Sequence, residues 1–350
     1  MKEAACLERS RLASHGGDCV SRTIGSLQAG RGLAALAVVL HHAGLAGHDF
    51  GGPFVGYDLF LPGYLGVDYF FVLSGFIIYH STVGVGRTPA DYLSARFRRV
   101  YLPYWPVGLT IALLYVLLPT LSQRTTGWSW LPTLTLAPVD ASPALSVAWT
   151  LKHEILFYGI FGLFYFARLL PLGLAAWAVA IIAYGQHLPF AAVNLEFFFG
   201  IAAVILYRTK RAHPALFLLA PIFVAIWVIS GADPQHRVWM GAAFACVVAP
   251  LAQIESRGLS VPAPLVLLGA ISYSLYLVHE PVISVTARLL PGSWPIFFGS
   301  VVAAILAGFA YHFAIEARVI KRRANPEVFT ELGGPERPPR GAPRERNSER

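Results

Sequence analysis

Residues 31–42 read Arg31-Gly-Leu-Ala-Ala-Leu-Ala-Val-Val-Leu-His41-His42, and the fold turns on this stretch. It opens the first long apolar segment, yet it begins on a guanidinium and ends on two adjacent imidazoles. Taken as a helix, eleven steps of about 100° bring His42 back to within roughly 20° of Arg31, about 16 Å further along. One face of one buried helix then carries a fixed cation at one depth and a titratable base at another. Ionisable groups inside a membrane are costly and face a bundle interior or a wet cavity. A plainer reading keeps Arg31 as the border of a span and His41 and His42 as its far cap.

The composition around this stretch is that of a membrane protein. Of 350 residues 56% are hydrophobic and 13% charged, with a mean hydropathy of +0.58. Soluble domains carry about twice that share of charge. The chain reads as one all-α polytopic membrane domain over 24–320, between a polar tail, 1–23, and a second tail, 321–350. The second tail is rich in Pro, Gly, Arg and Glu and is expected to be disordered. No cleavable signal peptide is expected, because the first residues are charged and lack an apolar core. Cys6, Cys19 and Cys246 form neither a disulfide framework nor a metal cluster, and no metal is expected.

A crossing helix needs about 20 apolar residues. Ten candidate runs lie near 24–45, 60–80, 102–119, 149–167, 172–187, 191–207, 215–231, 237–254, 263–286 and 294–316. The fifth and sixth are short and closely spaced, as in a helical hairpin. With the N-terminus in the cytoplasm, most arginines and lysines fall inside. They are Arg9, Arg11 and Arg22, then Arg87, Arg96, Arg98 and Arg99, then Arg168, then Arg208, Lys210 and Arg211, then Arg257, and last Arg318, Lys321, Arg322 and Arg323. Outer loops keep only scattered cations such as Arg124, Arg237 and Arg288. This positive-inside asymmetry places both termini in the cytoplasm. The net charge of +8 therefore faces anionic lipid rather than nucleic acid. The outer segment 120–148 carries Trp128 and Trp130, which suit an interfacial belt or a sugar-facing surface.

Several constellations bear chemistry. His42 lies in the outer half of its span, Arg31 in the inner half. Arg96, Arg98 and Arg99 precede the third span at its inner mouth, beside aromatic residues and Pro103. Guanidinium groups pair with phosphate in bidentate forks, and they also bind lipid head groups. Glu154 and Tyr158 share a helix face at the start of the fourth span. A carboxylate there needs a partner: either an imidazole at similar depth, for which His42 is the candidate, or its neighbours Lys152 and His153. Asp68 sits near the outer end of the second span, above Ser74 and Gly75, two small residues suited to close packing. Ser272 and Tyr276 share a face, with His279 three residues on, an arrangement that suits interhelical hydrogen bonds as well as catalysis. No phosphate loop, dinucleotide fingerprint, HExxH or GxSxG pattern is present, so ATP-driven pumping and hydrolysis find no support.

Read together, GVDYFFVLSGF (66–76), RFRRVYLPYW (96–105), WTLKHEILFY (149–158), FFFG (197–200) and ISYSLYLVHEP (271–281) resemble blocks of the acyltransferase-3 family of integral membrane O-acyltransferases, in the same order. The opening Arg, ten residues, His resembles that family's signature, in a register that selects Arg31 and His42. The likeness covers about 25–320. Two departures stand out: Leu102 replaces a frequent Pro, and Glu316 in the last block lacks the Pro that usually follows. The family implies acyl transfer, most often of acetyl, from cytoplasmic acyl-CoA to a hydroxyl of an exopolysaccharide, lipopolysaccharide or other lipid-linked glycan at a bacterial inner membrane. It implies donor binding by Arg31, Arg96, Arg98 and Arg99. It makes His42 the general base or a transient acyl carrier, oriented by Glu154. Asp68, Tyr158, Ser272, Tyr276 and His279 are candidate substrate contacts. The chain is expected to be a stand-alone membrane domain without an appended SGNH domain. A glycan transporter or flippase, with inner charges lining a pathway, is the competing class.

Overall fold

The computed structural model describes residues 24–119, 127–185, 188–233 and 236–318. The two tails and the cations Arg9, Arg11, Arg22, Arg124, Lys321, Arg322 and Arg323 lie outside the described residues, as do Cys6 and Cys19.

Each of the ten apolar runs falls on a helix of ten or more residues. These are α1 (Gly25–Gly51), α2 (Gly66–Thr82), α3 (Pro89–Leu117), α5 (Trp149–Phe166), α6 (Leu170–Tyr184), α7 (Leu195–Arg208), α8 (Ala220–Ile229), α9 (Val238–Glu255), α10 (Ala263–Leu289) and α11 (Ser293–Tyr311). A short helix, α4 (Trp130–Thr135), lies between α3 and α5. Six helical stretches among the described residues are long and apolar enough to cross a membrane: Gly25–Gly51, Tyr57–Thr82, Pro89–Leu117, Val238–Glu255, Ala263–Leu289 and Ser293–Glu316. The fifth and sixth runs form helices of 15 and 14 residues, shorter than a full crossing. The chain is a multi-pass membrane protein.

Two glycine seams bring the central helices together. A Cβ on Gly32 would meet the backbone N of Gly269 at 2.7 Å, and one on Gly269 would run into the carbonyl oxygen of Gln28. Small residues of this kind let helix backbones touch without a hydrophobic drive, which lipid cannot supply. Ten residues on from each glycine come His42 on α1 and His279 on α10, with ring centroids 5.0 Å apart. The two helices therefore run parallel and in register. The second seam joins α2 to α7, with Gly75 against the carbonyl of Phe197 and Gly200 against that of Val72. The packing expected of Gly75 is thus present. Around both seams the core is aromatic; Phe157 and Phe197 stack with centroids 4.3 Å apart.

Two boundaries differ from the sequence reading. The helix α3 begins at Pro89, with Thr88 Oγ1 accepting from Asp91 N, thirteen residues before the apolar run. Its three arginines broke the hydropathy signal without breaking the helix. Arg96, Arg98 and Arg99 consequently lie on α3 rather than at its mouth, and Pro103 is inside the helix rather than near its start. Tyr273 OH donates to the carbonyl of Val100 and Tyr311 OH to that of Pro103, pinning the proline-bearing segment.

The second difference concerns 127–148. Trp128 packs on Tyr115 near the end of α3, whereas Tyr104 and Tyr101 donate to the carbonyls of Thr133 and Thr135. From Tyr115 to Tyr101 is about 21 Å along a helix. The segment therefore folds back along α3 into the bundle. It delivers Val147 to the hydroxyl of Tyr276, one turn before His279, so α5 starts at that depth.

Candidate active site

Polar groups gather at two levels of the bundle, called near and far from the two ends of α1. At the far level His42 is half-buried, and its Nδ1 lies 2.9 Å from the carbonyl of Val38. A carbonyl only accepts, so Nδ1 carries the hydrogen and Nε2 keeps the lone pair. His279 is fully buried, with Nδ1 2.7 Å from the carbonyl of Tyr276. His41 stands 5.1 Å from the His42 ring and 5.7 Å from Tyr64. Tyr276 OH meets Thr150 Oγ1 and the Val147 carbonyl, each at 2.7 Å. Its one hydroxyl thus bonds two elements.

The same level contains an ion pair that the sequence reading did not find. Arg237 Nε and Nη2 bond Asp68 Oδ1 and Oδ2, both at 2.7 Å, with Asp68 fully buried. The guanidinium also lies over the rings of Tyr64 and Trp149. Asp68 therefore has a structural partner on both oxygens, and Arg237 is not a scattered surface cation. The available signal was two lone charges, each at the outer start of an apolar run. Glu196 is buried beside Asp68, and neither of its carboxylate oxygens has a partner among the described residues.

At the near level the charges interlock. Glu154 accepts from Ser74 Oγ at 3.0 Å and from Tyr158 OH. Arg96 donates to Ser81 Oγ at 2.8 Å and lies over the rings of Tyr92 and Tyr158. Arg99 donates to Glu316 at 2.9 Å and lies over Tyr273. Glu316 sits in a π-helical turn, His312–Glu316, and also accepts from Ser274 and His312. Arg31 donates to Gln28 at 3.2 Å and has Arg99, Glu316 and Glu154 as its charged neighbours. Arg98 is about 100° round α3 from Arg99 and lies off the face that Arg96 and Arg99 share. Ser272 is fully buried and its hydroxyl has no partner among the described residues, while Ser274, not among the expected site residues, binds Glu316.

The expected contact between Glu154 and His42 is not made. The cause is depth: Thr150 is level with Tyr276, one turn short of His279, and Glu154 is a further turn of α5 towards the near side. Two such steps total roughly 10 Å. Nor does Glu154 bond its sequence neighbours, since Lys152 donates to the carbonyls of Val139 and Ala141 and His153 pairs with Asn194. Ser74, expected as a packing residue, is instead a donor to Glu154.

Three guanidiniums, Arg31, Arg96 and Arg99, face two carboxylates, Glu154 and Glu316, and the Nε of Arg96 is buried without a partner among the described residues. That surplus of positive donors suits an anionic ligand. Among the described residues no group of three or more His, Cys, Asp or Glu is placed to hold a metal ion.

The exopolysaccharide production protein ExoZ of Rhizobium meliloti (strain 1021) is 28% identical over 328 residues, covering 85% of this chain and 99% of the relative. No solved structure matches. The family described as the acyltransferase domain, Acyl_transf_3, matches residues 24–313, so the chain belongs to the acyltransferase-3 family.

Proposed function

We propose that this protein moves an acyl group, acetyl in the first instance, from a cytoplasmic acyl-CoA to a hydroxyl of a cell-surface or lipid-linked glycan. The name of the relative, an exopolysaccharide production protein, favours an exopolysaccharide acceptor. In this reading the domain occupies 24–320 of a bacterial inner-membrane protein. The ten longer helices span or enter the membrane, and both termini are cytoplasmic. The near level then faces the cytoplasm and the far level faces outward.

One observation carries the reading. A single helix, α1, presents Arg31 to a cation-rich cluster and His42 to an imidazole pair, about 16 Å apart along its axis. An acyl-CoA has the same polarity over a comparable length, with phosphates at one end and a thioester at the other. Arg31, Arg96 and Arg99 hold the anionic end, with Arg98 at its margin. His42 Nε2 takes the proton of the acceptor hydroxyl as its oxygen bonds to the thioester carbonyl carbon. The carbon–sulfur bond breaks, and the same imidazole returns the proton to the departing sulfur. Glu154 works at a distance from His42: it holds Tyr158 and Ser74 in place and partly balances Arg31. Tyr276 and Thr150, joined by a hydrogen bond, stand on the near side of His279, with Ser272 one turn before Tyr276, as candidate substrate contacts. A positioned base of this kind contributes roughly 10²–10⁴-fold.

The test is transfer of radiolabelled acetyl from acetyl-CoA to the glycan and lipid fractions of membranes holding wild type or His42→Ala at equal amounts. Label with wild type alone supports the reading and identifies the acceptor fraction. Equal label with both would overturn the role of His42.

A further inference from the structure

His279 has a feature that interhelical packing does not explain. It is fully buried, and its Nδ1 is committed as a donor to the Tyr276 carbonyl, so the lone pair lies on Nε2. Among the described residues that Nε2 has no partner. A buried acceptor left unpaired costs free energy, and such atoms in native folds ask for an explanation. The adjacent ring is His42, 5.0 Å away, fixed in the same tautomer by the Val38 carbonyl. Two neutral imidazoles that both keep Nε2 as an acceptor cannot bond one another. They lack one hydrogen between them.

A proton arriving on His42 supplies it. A centroid separation of 5.0 Å is the distance at which two imidazoles can share an N–H···N hydrogen bond. The register of α1 and α10, set by Gly32 and Gly269, holds that separation. Among the described residues no carboxylate competes for this place, and Glu196 lies beside Asp68 and Arg237 instead. Glu280, next to His279 in the chain, accepts from Ser146; Asp68 is taken by Arg237; Glu154 lies a turn and more towards the near side. The other titratable group facing the pair is His41, whose ring is 5.1 Å from His42.

We propose that His279 is a positioning residue for the acyl-transfer step: a buried second imidazole whose Nε2 lone pair receives a hydrogen bond from His42 once His42 has taken the proton of the acceptor hydroxyl. It acts at the nitrogen that took the proton, since Nδ1 is held by the Val38 carbonyl, and it rests on the reading of His42 as the base. The proton count is unchanged, since one proton leaves the hydroxyl, is shared by the two rings and ends on the sulfur.

The experiment compares His279→Leu, which keeps volume without an acceptor, with His279→Gln, which keeps an acceptor oxygen. His42→Gln and the His42→Gln/His279→Leu double variant complete the set. Each is purified, checked for a wild-type melting profile, and assayed for acetyl transfer with kcat and KM for acetyl-CoA separated. The expected result is a kcat about 10²-fold lower in His279→Leu at unchanged KM, largely restored in His279→Gln. The double variant should be no slower than His42→Gln, as for residues that act as a unit. Wild-type kcat in folded His279→Leu, with His42→Gln inactive, overturns this proposal and leaves the base reading standing. Multiplying losses in the double variant also overturn it, because they mark an independent packing effect. Full activity in His42→Gln overturns the base reading itself. Should His279→Leu fail to fold, His279→Gln decides: a rate within a few fold of wild type supports the proposal, and a 10²-fold loss at normal melting overturns it.

Discussion

Asp68→Asn separates a structural role from a substrate role at the far level. The replacement keeps the shape of the side chain and removes its charge, leaving Arg237 with its side chain only 13% exposed and without its bidentate partner. Breaking one side of a buried pair costs about 3–5 kcal/mol, because the remaining charge is stranded. Glu196 modifies that figure. Its two free carboxylate oxygens sit beside Asp68, so Arg237 has a substitute within reach. Asp68→Asn is therefore expected at about 3 kcal/mol and Asp68→Asn/Glu196→Gln at about 5 kcal/mol. The single variant corresponds to a melting point lower by roughly 4–5 °C for a chain of this size. Replacing both partners, as Asp68→Leu/Arg237→Met, removes the stranded charge and should recover most of the loss. Unfolding of detergent-solubilised protein can be followed by dye reaction at half-buried Cys246, with Cys6 and Cys19 replaced by Ser. If Asp68→Asn melts with wild type yet loses acetyl transfer, Asp68 touches substrate and the structural account is wrong. If the Leu/Met pair melts no higher than Asp68→Asn, the stranded-charge argument fails.

Three further outcomes are expected. Arg31→Met and Arg99→Met should each raise KM for acetyl-CoA about tenfold or more, the worth of one charge-assisted contact, with kcat within a few fold; the reverse pattern would remove them from donor binding. Gly269→Val should push α10 away from the Gln28 carbonyl, separating the imidazole rings and lowering both transfer and melting point; unchanged transfer would show that the seam does not set the site. Cysteines at exposed Val55 and Val85 should label from opposite faces of sealed vesicles, Val55→Cys from outside and Val85→Cys from the cytoplasm; labelling from one face would refute the topology.

What could be read from the chain was whatever depends on one segment at a time. Apolar runs became helices because a backbone in lipid has no other way to satisfy its hydrogen bonds. The pairing of Arg31 and His42 on one helix followed from periodicity alone. Relations between segments were harder. Arg96 and Arg99 looked like loop charges, because a hydropathy window cannot see Glu316 arriving from 217 residues away. Thr88 and Pro89 did mark the true start of α3, a local signal that the charges masked. The 127–148 segment shows no period, and its depth is set by three side chains of α3, Tyr101, Tyr104 and Trp105, which donate to its carbonyls. That depth in turn decides where Glu154 sits, so an error over the segment passed directly into the expected Glu154–His42 contact.

The placement of the carboxylates has a chemical logic. A histidine must be neutral before it can accept a proton, and an ionised carboxylate against it favours the charged form in advance. Five acids lie near the polar column. Four are bound elsewhere: Asp68 by Arg237, Glu280 by Ser146, Glu154 by Ser74 and Tyr158, Glu316 by Arg99, Ser274 and His312, and the fifth, Glu196, sits beside Asp68 and Arg237 rather than against the imidazoles. The imidazoles are left with two backbone carbonyls and each other. Those carbonyls fix the tautomers without adding charge, and the neutral lone pair of His279 becomes useful only after His42 has been protonated. A base whose neutral partner engages only its protonated form is thus stabilised as the imidazolium of the intermediate more than in the resting state, which is the kind of difference that accelerates a reaction.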